Sequence, residues 1–434
     1  MRVKIPFGGS SVVEPSTVNR LVVGPNPTPR AKQRTLAFAS VFCYAFYMKN
    51  LNTIVLDIGT SSIKALIFDS SFNIVAQTHK PLKRFSPKRG WVEQNPQELL
   101  SVSKNALREI TKKSHLKQSS FTSLGITNQR ETTICWDKKT GNPVYPAIVW
   151  EDTRTSKFCS KLKRVFEKKI RAKTGLTMDP YFSASKIHWI LKNIDSAKQL
   201  VESGRLAFGT VDSWILWNLL EGQPHITDYT NASRTLLFNI VNLKWDKELL
   251  KIFEIPASVL PKAIPSRSSF GNLKKEILGF SLPVNAVCGD QQASLFAAGT
   301  TKGVTKVTYG TGTFIMQNQG SSFSLNKNFF TTLVAGRKQP LYALEAKVAR
   351  SGKAIEKALN QPKKLEFLFK QLSKKVDRFL DKLPDKPKEI IVDGGATQAK
   401  LLLQLQAAAS RLTVKKQKIF NGTALGVAML TKIK

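Results

Sequence analysis

Four short stretches of this sequence hold residue types suited to handling phosphate and alcohol oxygens. In the first, Asp57-Ile58-Gly59-Thr60-Ser61-Ser62, Gly59 lets the chain turn tightly and approach an anion. Thr60, Ser61 and Ser62 offer hydroxyl and backbone N–H donors for phosphate oxygens. Asp57 is a hard oxygen ligand suited to Mg²⁺ or its water shell, and Lys64 adds positive charge nearby. Alone, this motif also fits an ordinary surface hairpin. In the second stretch, Gly125–Thr133, Arg130 and Glu131 stand side by side. One donates and one accepts, which suits a neutral ligand rich in hydroxyls; as a surface ion pair they would be worth little. In the third, Cys288–Phe296, Asp290 follows a glycine and Gln291 can bond a further hydroxyl. Phosphoryl transfer to an alcohol needs a carboxylate that takes the hydroxyl proton. The fourth, Val392–Ala396, carries two glycines between a strand and a helix start, where free N–H groups can meet a nucleotide.

The elements around these residues read as alternating strands and helices. Asn52–Asp57 and Ile63–Asp69 are apolar, β-branched runs about a Gly/Ser/Thr turn, the pattern of a β-hairpin. A similar unit recurs at Lys306–Met316 around Gly310-Thr311-Gly312-Thr313, a weak internal repeat pointing to two related lobes. Asn95 and Pro96 read as cap and first residue of a helix, with Glu98 in its first turn. Leu99, Val102, Ala106 and Ile110 form its apolar stripe. Phe121–Thr127 and Glu389–Val392 read as strands, and a helix is expected over roughly Thr397–Leu412. This alternation argues for an α/β fold.

With 434 residues, 42% of them hydrophobic, the chain can build two domains with cores of their own. No apolar run is long enough to cross a bilayer. The net charge of +37 raises the question of nucleic acid, but the lysines are spread along the chain and no nucleic-acid motif stands beside them. Cys43, Cys135, Cys159 and Cys288 form no CxxC pair, and with the four scattered histidines they show no zinc spacing, which fits free thiols in a reducing compartment. Residues 1–47 differ from the rest: they hold one acid, Glu14, and an apolar patch near their end. A basic, acid-poor leader fits an organellar transit peptide better than a secretory signal. The stretch also looks like the conceptual translation of a transfer-RNA gene, which would make Met48 the start of the protein. This third reading is preferred, and residues 1–47 stand outside the expected fold.

Taken together and in this order, the motifs resemble the FGGY family of carbohydrate kinases, and within it the branch that phosphorylates glycerol. The likeness runs from Leu56 to about Gly320 and then in pieces to Leu430. It is carried by Gly90–Pro96, Ala147–Thr155, Thr174–Lys186, Phe208–Trp217, Thr227–Ile240 and Thr308–Phe314 besides the four motifs. The resemblance implies a two-lobed, actin-like ATPase (ribonuclease H-like) fold with a cleft between an amino-terminal lobe, 48–298, and a carboxy-terminal lobe, 299–434. It implies ATP-dependent phosphorylation of glycerol with Mg²⁺ in the cytoplasm, and leaves homo-oligomerisation open. It also implies roles for individual residues. Arg130, Glu131, Tyr181, Asp290 and Gln291 match polyol-contacting positions, with Asp290 as general base. Trp150 and Phe314 match the aromatics on the carbon face. Thr60, Ser61, Ser62 and Lys64 match the first phosphate hairpin and Thr311 the second. Gly352, Glu356 and Gly395 match nucleotide-contacting positions.

The chain departs from the family pattern mainly toward its end. After Tyr342–Glu345 it passes through Leu359 almost directly into the helix before Val392-Asp393-Gly394-Gly395, so the carboxy-terminal lobe is expected to be shortened and to lack the family's final helices. Ala399 and Lys400 fall where asparagines are usual. Glu356 replaces a common glutamine, and Glu151 a neutral polar residue. These changes bear on ATP more than on polyol. A non-catalytic polyol-binding homologue and a kinase for another polyol or ketose therefore stand as alternatives.

Overall fold

The computed structural model describes residues 51–434 apart from 311, 337, 338, 350, 418, 420, 433 and 434. The leader 1–47 and Thr311 lie outside the described residues. Two six-stranded sheets carry the fold. The first is built from β1 (Asn52–Ile58), β2 (Ser62–Phe68), β3 (Ile74–Pro81), β4 (Phe121–Asn128), β5 (Arg267–Asn272) and β6 (Pro283–Gly289), in the order β5-β6-β4-β1-β2-β3. The second is built from β7 (Thr305–Tyr309), β8 (Thr313–Gly320), β9 (Phe330–Leu333), β10 (Tyr342–Ala349), β11 (Glu389–Asp393) and β12 (Thr413–Lys416), in the order β9-β10-β8-β7-β11-β12.

The weak repeat seen in the sequence extends to topology. Without the edge strands β5 and β9, both sheets have one order. In the first, β1, β2 and β3 form an antiparallel meander, β4 lies parallel to β1, and β6 parallel to β4. In the second, β7, β8 and β10 form the meander, β11 lies parallel to β7, and β12 parallel to β11. The two Gly-containing turns occupy equivalent places, each closed by a backbone bond: Gly59 N to Ser62 O, 2.9 Å, and Gly310 N to Gly312 O, 3.1 Å.

Local sequence explains most of the elements. β1 is buried along its whole length, as expected of a central strand covered on both faces. α1 (Pro96–Ser114) starts where the cap predicted, with the Asn95 side chain accepting from Gln97 N. Its stripe buries Leu99, Ala106 and Ile110 under the first sheet, each large apolar side chain contributing about 1.5–3 kcal/mol. α2 (Asp290–Ala298) follows β6 directly. α3 (Gly352–Ala358), α4 (Pro362–Leu380) and α5 (Lys400–Ser410) belong with the second sheet, and α4 contributes Phe369, Leu372 and Val376 to its core. α6 (Gly422–Lys432) instead packs on the first sheet, where it shares an apolar cluster with Val55, Leu66 and Cys288. A Cβ at Gly426 would fall 1.8 Å from the carbonyl oxygen of Ala293, so only glycine admits this contact between α6 and α2.

One boundary differs from the sequence reading. The helix expected from Thr397 begins at Lys400, and residues Gly395–Gln398 close into a 3₁₀ turn. Thr397 accounts for it: its N–H and hydroxyl both donate to the Gly394 carbonyl, at 3.1 and 2.7 Å. Its side chain thus supplies the local bond that competes with helix. Among the described residues, no helix is long and apolar enough to cross a membrane. The described cysteines, Cys135, Cys159 and Cys288, are buried free thiols.

Candidate active site

A cavity of about 230 Å³ opens between the ends of the two sheets. From the chain up to α2 it is lined by Asp57, Gly59, Thr60, Ser61, Ser62, Lys64, Arg130, Glu131, Trp150, Tyr181, Asp290 and Gln291. From β7 onward come Thr308, Gly310, Gly312, Phe314, Asp393, Gly394, Gly395, Asn421, Gly422 and Thr423. Residues far apart in sequence thus share one space. Gly352 and Glu356 do not line it: Gly352 opens α3, and Glu356 is exposed on that helix.

Arg130 organises one end of the cavity. It follows β4 and is buried, so its charge must be met inside the protein. Its Nη1 and Nη2 form a fork onto Glu345 of β10, at 2.7 and 2.8 Å, and Nη1 also donates to Gln292 Oε1 at 3.1 Å. Its Nε lies 3.1 Å from Asp290 Oδ1. Glu131 does not pair mainly with its neighbour: Arg130 Nε is 3.9 Å away, while Arg234 Nε donates to Glu131 Oε1 at 2.6 Å. Arg234 Nη2 reaches Glu345 Oε1 at 3.1 Å. The alternative of a surface ion pair between Arg130 and Glu131 is excluded, because both side chains are buried and each pairs mainly with another residue. Glu131 has φ +62, in the left-handed region rarely held by a non-glycine residue, and the pairing with Arg234 keeps it there. Burial opposes ionisation of Glu345, but the two guanidinium groups outweigh it and hold the carboxyl at about 2.

Asp290 is the first residue of α2, and its side chain is 30% exposed to the cavity. Burial pushes its carboxyl up to about 6, against the pull of Arg130 and the N–H of Gln291. At neutral pH it is therefore an ionised carboxylate close to the value that suits a proton acceptor. The preceding residue must be small: a Cβ at Gly289 would come within 2.7 Å of Arg130 Cδ. Beside Asp290, Gln291 Oε1 accepts from buried Lys306 at 3.1 Å, which leaves the amide NH₂ to donate elsewhere.

The aromatic wall is equally fixed. Trp150 and Tyr181 meet edge to face at 5.6 Å, and Trp150 Nε1 donates to Thr60 Oγ1 at 2.9 Å. The Thr60 hydroxyl keeps its own proton for another acceptor. Phe314, on β8, closes the wall from the second sheet. Lys186, fully buried, donates to the carbonyls of Pro180, Tyr181 and Phe182 at 2.7, 2.7 and 3.2 Å. It ties down the segment that presents Tyr181. Lys347 lies 4.5 and 4.4 Å above the Trp150 and Tyr181 rings.

The other end of the cavity is made of small residues and turns. The first turn presents Thr60, Ser61 and Ser62; behind it Asp57 Oδ2 accepts from Thr423 at 3.0 Å and Lys64 Nζ donates to Asn421 Oδ1 at 3.2 Å. Burial raises the Asp57 carboxyl despite Lys64 and the Thr423 hydroxyl, so its negative charge is incompletely compensated. Across from it, Asp393 accepts from Thr308 at 2.6 Å and from Ser294. Gly394 has φ +93, and a Cβ there would sit 2.5 Å from the Tyr309 carbonyl oxygen, so glycine is required where the strand end turns past β7. Glu151, one of the departures, is paired with Arg84 away from this cavity.

Several contributors were not singled out from the sequence. Arg234 and Glu345 lie inside segments quoted for the resemblance or its end, but nothing local marks them. Asp393 carried a usable signal: it ends β11 and is followed by glycine, much as Asp290 follows the glycine that ends β6. Asn421 and Thr423 are joined to Lys64 and Asp57 only by the return of α6 to the first sheet.

Comparison with known proteins then decides the family. Residues 52–297 match the N-terminal domain of the FGGY family of carbohydrate kinases, and residues 364–433 match its C-terminal domain. The chain belongs to the FGGY family of carbohydrate kinases. Among FGGY relatives, a glycerol kinase of Paraburkholderia xenovorans is 45% identical over 313 residues, or 71% of this chain and 63% of that protein. A glycerol kinase of Burkholderia multivorans matches to the same extent. The chain thus spans under two thirds of the length of these curated relatives. Among solved FGGY structures, the ADP complex of Plasmodium falciparum glycerol kinase superposes with a TM-score of 0.80 at 28% identity, covering 87% of this chain and 89% of that one. A gluconate kinase of Lactobacillus acidophilus, at 19% identity, covers 88% of each chain with a TM-score of 0.75 and shows the fold alone. The fold is the two-lobed, actin-like ATPase architecture of these kinases, as the duplicated sheets require.

Proposed function

We propose that this FGGY kinase transfers the γ-phosphoryl group of ATP to a terminal hydroxyl of glycerol, giving glycerol 3-phosphate, in the cytoplasm. The observation that carries the reading is the meeting, in one cavity, of the Asp290 carboxylate and the Thr60–Ser62 turn. The glycerol kinase relatives support the choice of acceptor.

In this reading Arg130, Glu131, Tyr181, Asp290 and Gln291 contact glycerol, while Trp150 and Phe314 cover its carbon face. Asp290 takes the proton of the attacking hydroxyl as the new O–P bond forms in line and the bond to the ADP oxygen breaks. Thr60, Ser61, Ser62 and Lys64 would receive the transferring phosphoryl group, with Gly395 beside the nucleotide; Thr311 is assigned to the second turn. The cavity residues include four carboxylates, Asp57, Glu131, Asp290 and Asp393, against Lys64 and Arg130. A polyphosphate therefore needs a cation of its own to enter. Asp57, buried and under-compensated, fits as the residue that would hold Mg²⁺. Among the described residues there is no cluster of three or more His, Cys, Asp or Glu suited to a metal, so most of its ligands would come from phosphate and water. Bound there, Mg²⁺ would offset the charge on the phosphate oxygens. Residues 48–298 and 299–434 are proposed as the two lobes that close on the substrates.

The test is incubation of the full chain with ATP, Mg²⁺ and a panel of polyols, ketoses and sugar acids, with phosphorylated products read by mass spectrometry. Glycerol 3-phosphate as the main product is expected. A preference for another acceptor would replace the substrate, and binding without product would replace the enzyme reading with a polyol-binding one.

A further inference from the structure

The reacting carboxylate sits at the edge of a buried ionic cluster whose key member comes from the opposite sheet. Arg130, Glu131, Arg234 and Asp290 all precede β7 in the chain. Glu345, on β10, is the acid that the two arginines share: it takes both fork nitrogens of Arg130 and one nitrogen of Arg234. It has no exposed surface, so no water can stand in for it. The cluster holds two guanidinium groups and three carboxylates. How the Arg130 charge divides between Glu345 and Asp290 sets how freely Asp290 accepts a proton.

We infer that Glu345 is a positioning residue that occupies the Arg130 fork and so keeps Asp290 available as the base, with Arg234 limiting how strongly Glu345 does so. Arg130 has two faces: the fork, committed to Glu345, and Nε, 3.1 Å from Asp290. Without the charge of Glu345, the whole Arg130 charge acts on Asp290, which becomes a weaker base. Without Arg234, both Glu345 and Glu131 lose a cation, and the added negative charge holds the Asp290 proton more tightly. Arg234 is committed to this role, with Nε on Glu131 and Nη2 on Glu345, while its Nη1 has no partner among the described residues. The other charged groups facing Asp290 are Glu131 beside Arg130 and Lys306 of β7, itself next to Asp393. Lys306 keeps its partners in either variant; Glu131 keeps Arg234 in Glu345→Gln and loses it in Arg234→Gln, which adds to the negative charge beside Asp290.

The inference rests on the phosphotransferase reading, and its test separates the two. The full chain, Glu345→Gln and Arg234→Gln are compared by the pH dependence of kcat/KM for glycerol at saturating ATP, after melting curves show each is folded. The acid limb is expected to move to lower pH in Glu345→Gln and to higher pH in Arg234→Gln, each by about one pH unit, as a charge a few ångströms away shifts a carboxyl. A merely structural role lowers the active fraction at every pH and moves neither limb. Each variant is read alone: a folded, active variant whose limb stays at the wild-type position, or moves the opposite way, overturns the inference. Absence of any wild-type turnover overturns the functional reading instead.

Discussion

The two ends of the cavity are built by opposite means, and the proposed function assigns one to the acceptor and the other to the nucleotide. At the acceptor end, every charged side chain is engaged: Arg130 with Glu345 and Asp290, Arg234 with Glu131 and Glu345, Lys306 with Gln291, Lys186 with three carbonyls. At the nucleotide end the lining is Gly310, Gly312, Gly394, Gly395 and Gly422, with short polar side chains between them. A small polyol offers only hydroxyls and a few carbons, so recognition requires rigid, pre-oriented groups. Phosphates can be held by backbone N–H groups at turns, which need close approach more than side chains. Glu356, Ala399 and Lys400 all lie outside the residues that line the cavity, whereas the Arg130 end is a set of mutual partners.

This contrast can be broken by substitution. Arg130→Met should have the largest effect, because it takes the fork partner from fully buried Glu345, leaving it Arg234 alone, and removes the guanidinium beside Asp290. A loss of about 3–5 kcal/mol of stability in urea melts is expected, and a loss under about 1 kcal/mol would contradict the locked acceptor end. Next comes pH: the base must be ionised, so kcat/KM should fall about tenfold per unit below about pH 6, the value to which burial raises Asp290. A flat profile from pH 7 to pH 5 would remove Asp290 from this role. Thr60→Val takes the acceptor from Trp150 Nε1 and leaves a buried N–H unpaired, which costs about 1–3 kcal/mol and should raise the KM for glycerol by about tenfold, seen in steady-state kinetics. The smallest effect is expected for Glu356→Gln. Exposed and outside the cavity, it should change the KM for ATP by less than about twofold, within the range of ordinary surface substitutions. A large improvement would mean that α3 reaches the nucleotide.

The same contrast marks what could be read from the sequence. Asp290 was legible because it follows a glycine at a strand end, and Asp57 and the Thr60–Ser62 turn because they flank Gly59 where β1 turns into β2, local patterns in each case. α1 was legible from its cap and stripe, and the duplicated hairpins hinted at the paired sheets. Glu345 was not, because its partner Arg130 lies 215 residues away and periodicity carries no long-range pairing. Arg234 and Lys186 are buried cations that follow runs of small residues, Asn231–Ser233 and Ser183–Ser185; Arg234 finds its acids only through tertiary contacts, while Lys186 turns back onto the carbonyls of Pro180, Tyr181 and Phe182. The start of α5 was misplaced because Thr397 bonds back to Gly394 and closes a tighter turn first. That α6 returns to the first sheet, carrying Thr423 to Asp57, follows from packing at Gly426 rather than from any motif.

The central claim is that the Asp290 carboxylate takes the proton of an alcohol held against the Thr60–Ser62 turn. It is tested most directly by comparing the full chain with Asp290→Asn in glycerol binding by calorimetry and in ATP-dependent turnover. The account predicts that the variant still binds glycerol while turnover drops on the order of 10³-fold. Equal turnover in the two proteins would contradict it.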